Sequence, residues 1–223
     1  MTFFKEEFLK FFIDLASNNN KEWFDENRKR YENFVKNPFK DFVNHIIHSM
    51  SELDSSFKDV EASECIFRIN RDIRFSKDKT PYKMNVSAVI SPDGKKSKAI
   101  NGVYIEVGPE HFRVYGGVYE IDKEDLLLVR EEIAKDPKKF KSIYSDPNFK
   151  SVFGELLGEK NKVLPKELKE VGTIEPLIFN KQWYFYKQFD PEVILQDNLD
   201  EIVMNCYKAG RPIENYFNDI IKK

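Results

Sequence analysis

A chain of 223 residues is long enough for one large domain or two small ones, and its 41% hydrophobic and 33% charged residues mark a folded rather than a disordered protein. Its 20 phenylalanines need a sizeable core to bury them, and a net charge of −2 excludes a whole-surface attraction to nucleic acid. No apolar run approaches the length of about 18 residues that a membrane span needs, so none is expected.

The start Met1-Thr2-Phe3-Phe4-Lys5-Glu6-Glu7 lacks the basic and apolar stretches of a secretory signal. Cys65 and Cys206 have neither metal nor disulfide spacing, so a reducing cytoplasm is the expected location. Phe4, Phe8, Phe11 and Leu15 recur on one helical face. Ser17-Asn18-Asn19-Asn20 breaks that helix and offers N-caps for a second, carrying Trp23, Phe24, Tyr31 and Phe34. Asn37-Pro38 predicts the start of a third, with a stripe of Phe39, Phe42, Val43, Ile46, Ile47, Met50 and Leu53.

The middle changes to a period of two. Cys65, Phe67, Ile69, Arg71, Ile73 and Phe75 alternate with Ile66, Arg68, Asn70, Asp72 and Arg74, which predicts a strand over 65–75. Met84, Val86, Ala88 and Ile90 alternate again, then Val103, Ile105 and Val107, and a turn at Gly108-Pro109-Glu110 predicts a hairpin into Phe112, Val114, Gly116 and Val118. Gly116-Gly117 reads as a bulge or a close backbone approach.

Helices return after Asp122, with cap-then-proline starts at Asp136-Pro137 and Asp146-Pro147, and Gly158 is expected to end the last of these. Trp183-Tyr184-Phe185-Tyr186 predicts another strand, and the tail from Asn198 to Ile221 a helix interrupted at Gly210-Arg211-Pro212. The whole predicts an α+β fold of N-terminal helices (about 3–55), a mainly antiparallel sheet (about 65–119) and a mostly helical C-terminal part (about 122–221). One domain spanning 1–223 is expected, with a C-terminal helical subdomain as the alternative.

The strongest signal lies between Cys65 and Lys83, where six basic residues meet two acidic ones, a local +4 that leaves −6 for the rest. Only 8 of the 36 basic residues are arginine, yet Arg68, Arg71 and Arg74 fall within seven positions. Clustered arginine points to bidentate hydrogen bonding with a carboxylate or phosphate. On a strand, Arg68, Asp72 and Arg74 share a face, while Arg71 faces the apolar side and needs a partner such as Asp78. Proline pushes Thr80 into extended backbone, and Tyr82 is placed to turn its hydroxyl toward the charges.

The spacing R-x-x-R-D-x-R-F-x-x-D-K-x-x-Y, formed by Arg68, Arg71, Asp72, Arg74, Phe75, Asp78, Lys79 and Tyr82, resembles the signature of an uncharacterised bacterial family, domain-of-unknown-function family 2461. The resemblance extends to Asn19-Asn20-Lys21-Glu22-Trp23-Phe24 and to Gly116-Gly117. It implies no activity, substrate or cofactor, because the family has none to carry over.

The candidate ligand-binding residues are Arg68, Arg71, Asp72, Arg74, Asp78, Lys79 and Tyr82, with an anionic small molecule as the expected partner. A structural salt-bridge network is the competing reading, and a nucleic-acid backbone a third. For an enzyme, Asp72 or Asp78 is the base, Lys79 or an arginine stabilises charge, and Tyr82 donates a proton. His45 and His48 lack a third metal ligand and read as surface or packing residues, and His111 in its turn as solvated. No metal site, cofactor, membrane partner or oligomeric state is indicated.

Overall fold

The first helix, α1 (Glu6–Ser17), buries Phe8, Phe11, Phe12 and Leu15, the face its spacing marks out. Asn20 then caps α2 (Lys21–Glu26), its side-chain oxygen accepting from Trp23 N at 3.0 Å. The computed structural model describes residues 1–96 and 101–221.

The separate third helix expected at Asn37-Pro38 is corrected. α3 (Arg28–Tyr31) runs through a wide turn of π type, Glu32–Lys36, directly into α4 (Asn37–Ser51). Lys36 is itself helical, and Asn37 donates its N–H five residues back to Glu32 O instead of capping. Pro38 has no N–H to give, and in a regular helix its ring would press on the carbonyl of Phe34. A turn with one extra residue relieves that clash.

A short helix, α5 (Ala62–Cys65), occupies the start of the expected strand at 65–75, which is the second correction. Only Ile66 and Asn70 form ladder pairs there, opposite Ala88 and Tyr82, and regular β structure begins at β1 (Val86–Ile90). Pro81 has no N–H for a ladder, and the charged side chains beyond Asn70 turn the chain back on itself. β2 (Val103–Val107) and β3 (Phe112–Val118) form the expected hairpin, closed by Gly108 N donating to His111 O at 3.0 Å. The part of the expected sheet at 97–100 lies outside the described residues.

Asp122, Asp136 and Asp146 cap α6 (Lys123–Lys135), α7 (Pro137–Tyr144) and α8 (Pro147–Phe153). Gly154, at φ +81°, ends α8 rather than Gly158. Gly158 is instead a close approach: a Cβ there would stand 2.0 Å from Gln182 O. After α9 (Lys169–Ile174), β4 (Trp183–Phe189) completes a four-stranded antiparallel sheet of order β1-β2-β3-β4. α10 (Leu199–Ile221) runs unbroken through the expected interruption, with Pro212 exposed inside it. Ile213, Phe217 and Ile220, on the C-terminal side of Pro212, are buried in one apolar cluster, which holds that part of the helix in place. The fold is therefore α+β, with helices first and last.

The chain divides into two compact units. One comprises Met1–Lys95, Tyr104–Val114 and Gln188–Met204; the other comprises Tyr115–Lys187 and the described parts of 96–103 and 205–223. The first has a phenylalanine core in which Phe4 meets Phe8 and Phe42 edge-on, with centroids 4.8 and 5.5 Å apart. The second is built on Trp183, Phe140, Phe149, Phe185 and Phe217, with Val129 and Ile133 of α6. There a Cβ on Gly116 would lie 2.4 Å from Glu214 Oε1, and Gly117 takes φ +90° against Trp183 O, the close approach the paired glycines predict.

Candidate functional site

The basic segment forms an irregular antiparallel ribbon in the first unit. Phe67 N donates to Ser87 O, Lys83 N to Ile69 O and Arg71 N to Pro81 O, each at 2.9 Å. Beyond Arg71 the ladder stops and side chains close the loop. Arg71 Nη1 reaches Asp78 Oδ2 at 2.5 Å and Thr80 O at 3.2 Å, and also meets the Thr80 hydroxyl. Asp78 Oδ1 accepts from Thr80 N at 2.9 Å. That amide, then Arg71 and the Thr80 hydroxyl, hold the Asp78 carboxyl down at about 2.

Asp72 and Arg74 make a second pair, a fork with Nε to Oδ1 at 2.9 Å and Nη2 to Oδ2 at 2.6 Å, which lowers the Asp72 pKa. Lys79 Nζ donates to Ile73 O at 2.9 Å. Five of the seven sequence candidates, Arg71, Asp72, Arg74, Asp78 and Lys79, thus bond within the loop itself. Tyr82 is buried with its ring flat on Phe24, 4.0 Å between centroids.

Arg68 differs from the others. It is exposed and makes no ion pair among the described residues, Asp72 acting on it only at longer range. Lys83, which sits opposite Ile69 across the ribbon and which the sequence reading did not name as a candidate, lies within electrostatic reach of Arg68. Lys83 is half-buried, with Nζ 5.4 Å from the centre of the Phe67 ring. Burial and then the Arg68 charge lower its pKa, and the Glu106 carboxylate opposes them.

Glu106 anchors a second group that sequence reasoning missed. Its Oε2 accepts from Tyr104 Oη at 3.0 Å, and its Oε1 lies 2.6 Å from His111 Nε2 and 3.7 Å from Arg113 Nη1. Arg113 Nε in turn donates to Gln188 Oε1 at 2.7 Å. His111, expected to be solvated, has only 14% of its side chain exposed, because Glu106 (18% exposed) draws the imidazole onto the hairpin. The alternation of Val103, Ile105 and Val107 with Tyr104 and Glu106 carried the signal for this face. Nothing local to Lys83 placed it nearby.

Chemically, the exposed Arg68 guanidinium is a donor suited to an anion, and β2 and the hairpin present a hydrogen-bonded carboxylate–imidazole pair, Glu106 with His111. The second unit holds two more polar residues hidden in its core. Arg130 donates to Ile178 O at 3.0 Å and to Asn180 O at 2.9 Å. Glu214, fully enclosed, accepts from Gly102 N at 3.3 Å and from the Gly117 amide, and burial raises its pKa well above the carboxylate range. Among the described residues no group of three or more His, Cys, Asp and Glu side chains is arranged to hold a metal ion, and no helix is long and apolar enough to cross a membrane.

The model of a family described as "Conserved hypothetical protein (DUF2461)" matches residues 7–216 of the chain. A comparison with curated proteins finds no match.

Proposed function

The chain belongs to this conserved hypothetical family, and from that premise we propose that it binds a small anion, bearing phosphate or carboxylate, at the base of the Arg68–Tyr82 segment. The observation that carries this reading is Arg68, exposed and without an ion pair among the described residues, with half-buried Lys83 within its electrostatic reach. Like charges within reach of each other are mutually destabilising, and a bound anion offsets that repulsion. The loop from Arg71 to Lys79 acts as a frame, since its own carboxylates already engage Arg71 and Arg74.

Those internal pairs are the observation that favours a second reading, in which the whole motif is structural. The readings differ over Arg68. A purely structural loop leaves Arg68 dispensable for binding and gives it no ligand. We also place the protein in the cytoplasm, where the free cysteines Cys65 and Cys206 stay reduced; burial pushes the Cys206 thiol up to about 12, which suits packing and not redox chemistry.

Calorimetric titration of the wild type and Arg68→Gln with inorganic phosphate, pyrophosphate, malonate and a short oligonucleotide tests this. Binding of one of the small anions, weakened about tenfold or more in Arg68→Gln, supports the reading, since a charge-assisted bond contributes about 1.5–3 kcal/mol. Binding of the oligonucleotide alone, with a steep salt dependence, would move the function to nucleic acid. No binding at all would leave the structural reading.

A further inference from the structure

Lys83 is better placed for chemistry than for charge alone. Its backbone is fixed by the bond from its N–H to Ile69 O at 2.9 Å, and its stem lies half-buried with Nζ 5.4 Å over the Phe67 ring. Phe67 is braced edge-on by Tyr104, with centroids 6.3 Å apart. Two charged groups bear on the amine at electrostatic range: Arg68 from the ribbon, and from β2 the carboxylate of Glu106, itself bonded to Tyr104 and His111 and paired with Arg113. The exposed lysines of the same loop differ: Lys79 is tied to a carbonyl, and Lys77 stands in solvent.

An amine held against an aromatic wall, with a cation at its side, is the environment in which lysine serves as a nucleophile rather than a counter-ion. Resting on the anion reading above, we propose that Lys83 forms an imine with a carbonyl compound that carries a carboxylate or phosphate, Arg68 holding the anionic group and Glu106 with His111 handling the protons. In that step the neutral amine attacks the carbonyl carbon, and a C–N bond forms as the C–O bond breaks. Both amine protons leave with the oxygen as water. Nothing is oxidised or reduced. Burial and Arg68 lower the pKa of Lys83 and so raise the fraction of neutral amine, which agrees with the geometry.

The test incubates the intact protein with glyoxylate and cyanoborohydride, which reduces imines, and maps the modified lysines by peptide mass spectrometry. Acetaldehyde serves as the carbonyl without an anion, and malonate binding to the same preparation is measured by calorimetry. The expected result is glyoxylate modification at Lys83 several-fold faster than at Lys77 and Lys79, suppressed by malonate, slower in Arg68→Gln, and absent from Lys83→Arg. Malonate binding with no preference for Lys83 would overturn the imine and leave the anion site standing. Modification of Lys83 by acetaldehyde as fast as by glyoxylate would overturn the anion-bearing substrate class. Neither malonate binding nor selective modification would overturn both readings together.

Discussion

The side-chain amide of Asn19 pairs with the backbone of Tyr82 on both edges: Tyr82 N donates to Asn19 Oδ1 at 3.1 Å, and Asn19 Nδ2 donates to Tyr82 O at 3.0 Å. One side chain thus does the work of a neighbouring strand for the residue that precedes Lys83. Asn19→Asp keeps the acceptor but sets a carboxylate oxygen against Tyr82 O. Both Asn19→Asp and Asn19→Ala are expected to lose about 1–3 kcal/mol in urea unfolding, with Asn19→Asp the worse of the two.

The Asp78 carboxyl, held down at about 2, ties loop order to acid. A carboxylate whose folded pKa lies below its unfolded value, about 3.9, contributes stability above that unfolded value and loses it as pH falls through the folded one. Asp78 is solvent-exposed, so the effect is local rather than global. The Thr80 amide resonance is expected to titrate with a midpoint near 2. A midpoint in the ordinary aspartate range would mean that Arg71 and Thr80 do not hold the carboxylate in solution.

Glu214 has the opposite sign. Its folded pKa lies above the unfolded one, so its contribution is complete at low pH and is lost as pH rises through the folded value. Wild-type stability is expected to fall as pH rises from the unfolded glutamate value, about 4.3, toward the higher folded one, by up to about 1.4 kcal/mol per pH unit for this one proton. Glu214→Gln, which can still accept from Gly102 N, should flatten that slope, as read from chemical unfolding at a series of pH values.

Arg130 spends its guanidinium on the carbonyls of Ile178 and Asn180 inside the second unit. Lysine cannot reproduce two diverging N–H donors from one planar group. Arg130→Lys is therefore expected to cost about 2–4 kcal/mol by thermal or urea unfolding, more than an exposed Arg-to-Lys change would.

What the sequence made legible was local. Asp122, Asp136 and Asp146 cap helices because a carboxylate bonds amides two or three residues away, within the reach of a motif. The period-two pattern after Cys65 marked a real pairing with 81–88, but the pattern could not show where Pro81 and the charged loop would end the ladder. Gly154 and Gly158 look alike in sequence, and only the approach of Gln182 tells the close contact from the helix end. The association of Lys83 with Arg68 and Glu106 arises from chain pairing across the ribbon and from β2, at separations no local pattern encodes. The motif itself drew attention to Arg71, Asp72, Arg74 and Asp78, which turn out to pair off within the loop, Arg71 with Asp78 and Arg74 with Asp72.

The wide turn at Glu32–Lys36 holds one residue more than an α-helical turn, and one residue of α-helix is about 100° of rotation. The stripe that begins at Phe39 and the contacts of Tyr31 with Phe11 and Phe24 therefore stand out of phase with each other on any single helical wheel. Deleting one residue of this turn other than the buried Val35 would leave every core side chain in the sequence and yet swing Tyr31 off its partners. The packing of this corner is thus set by the count of residues as much as by their kind.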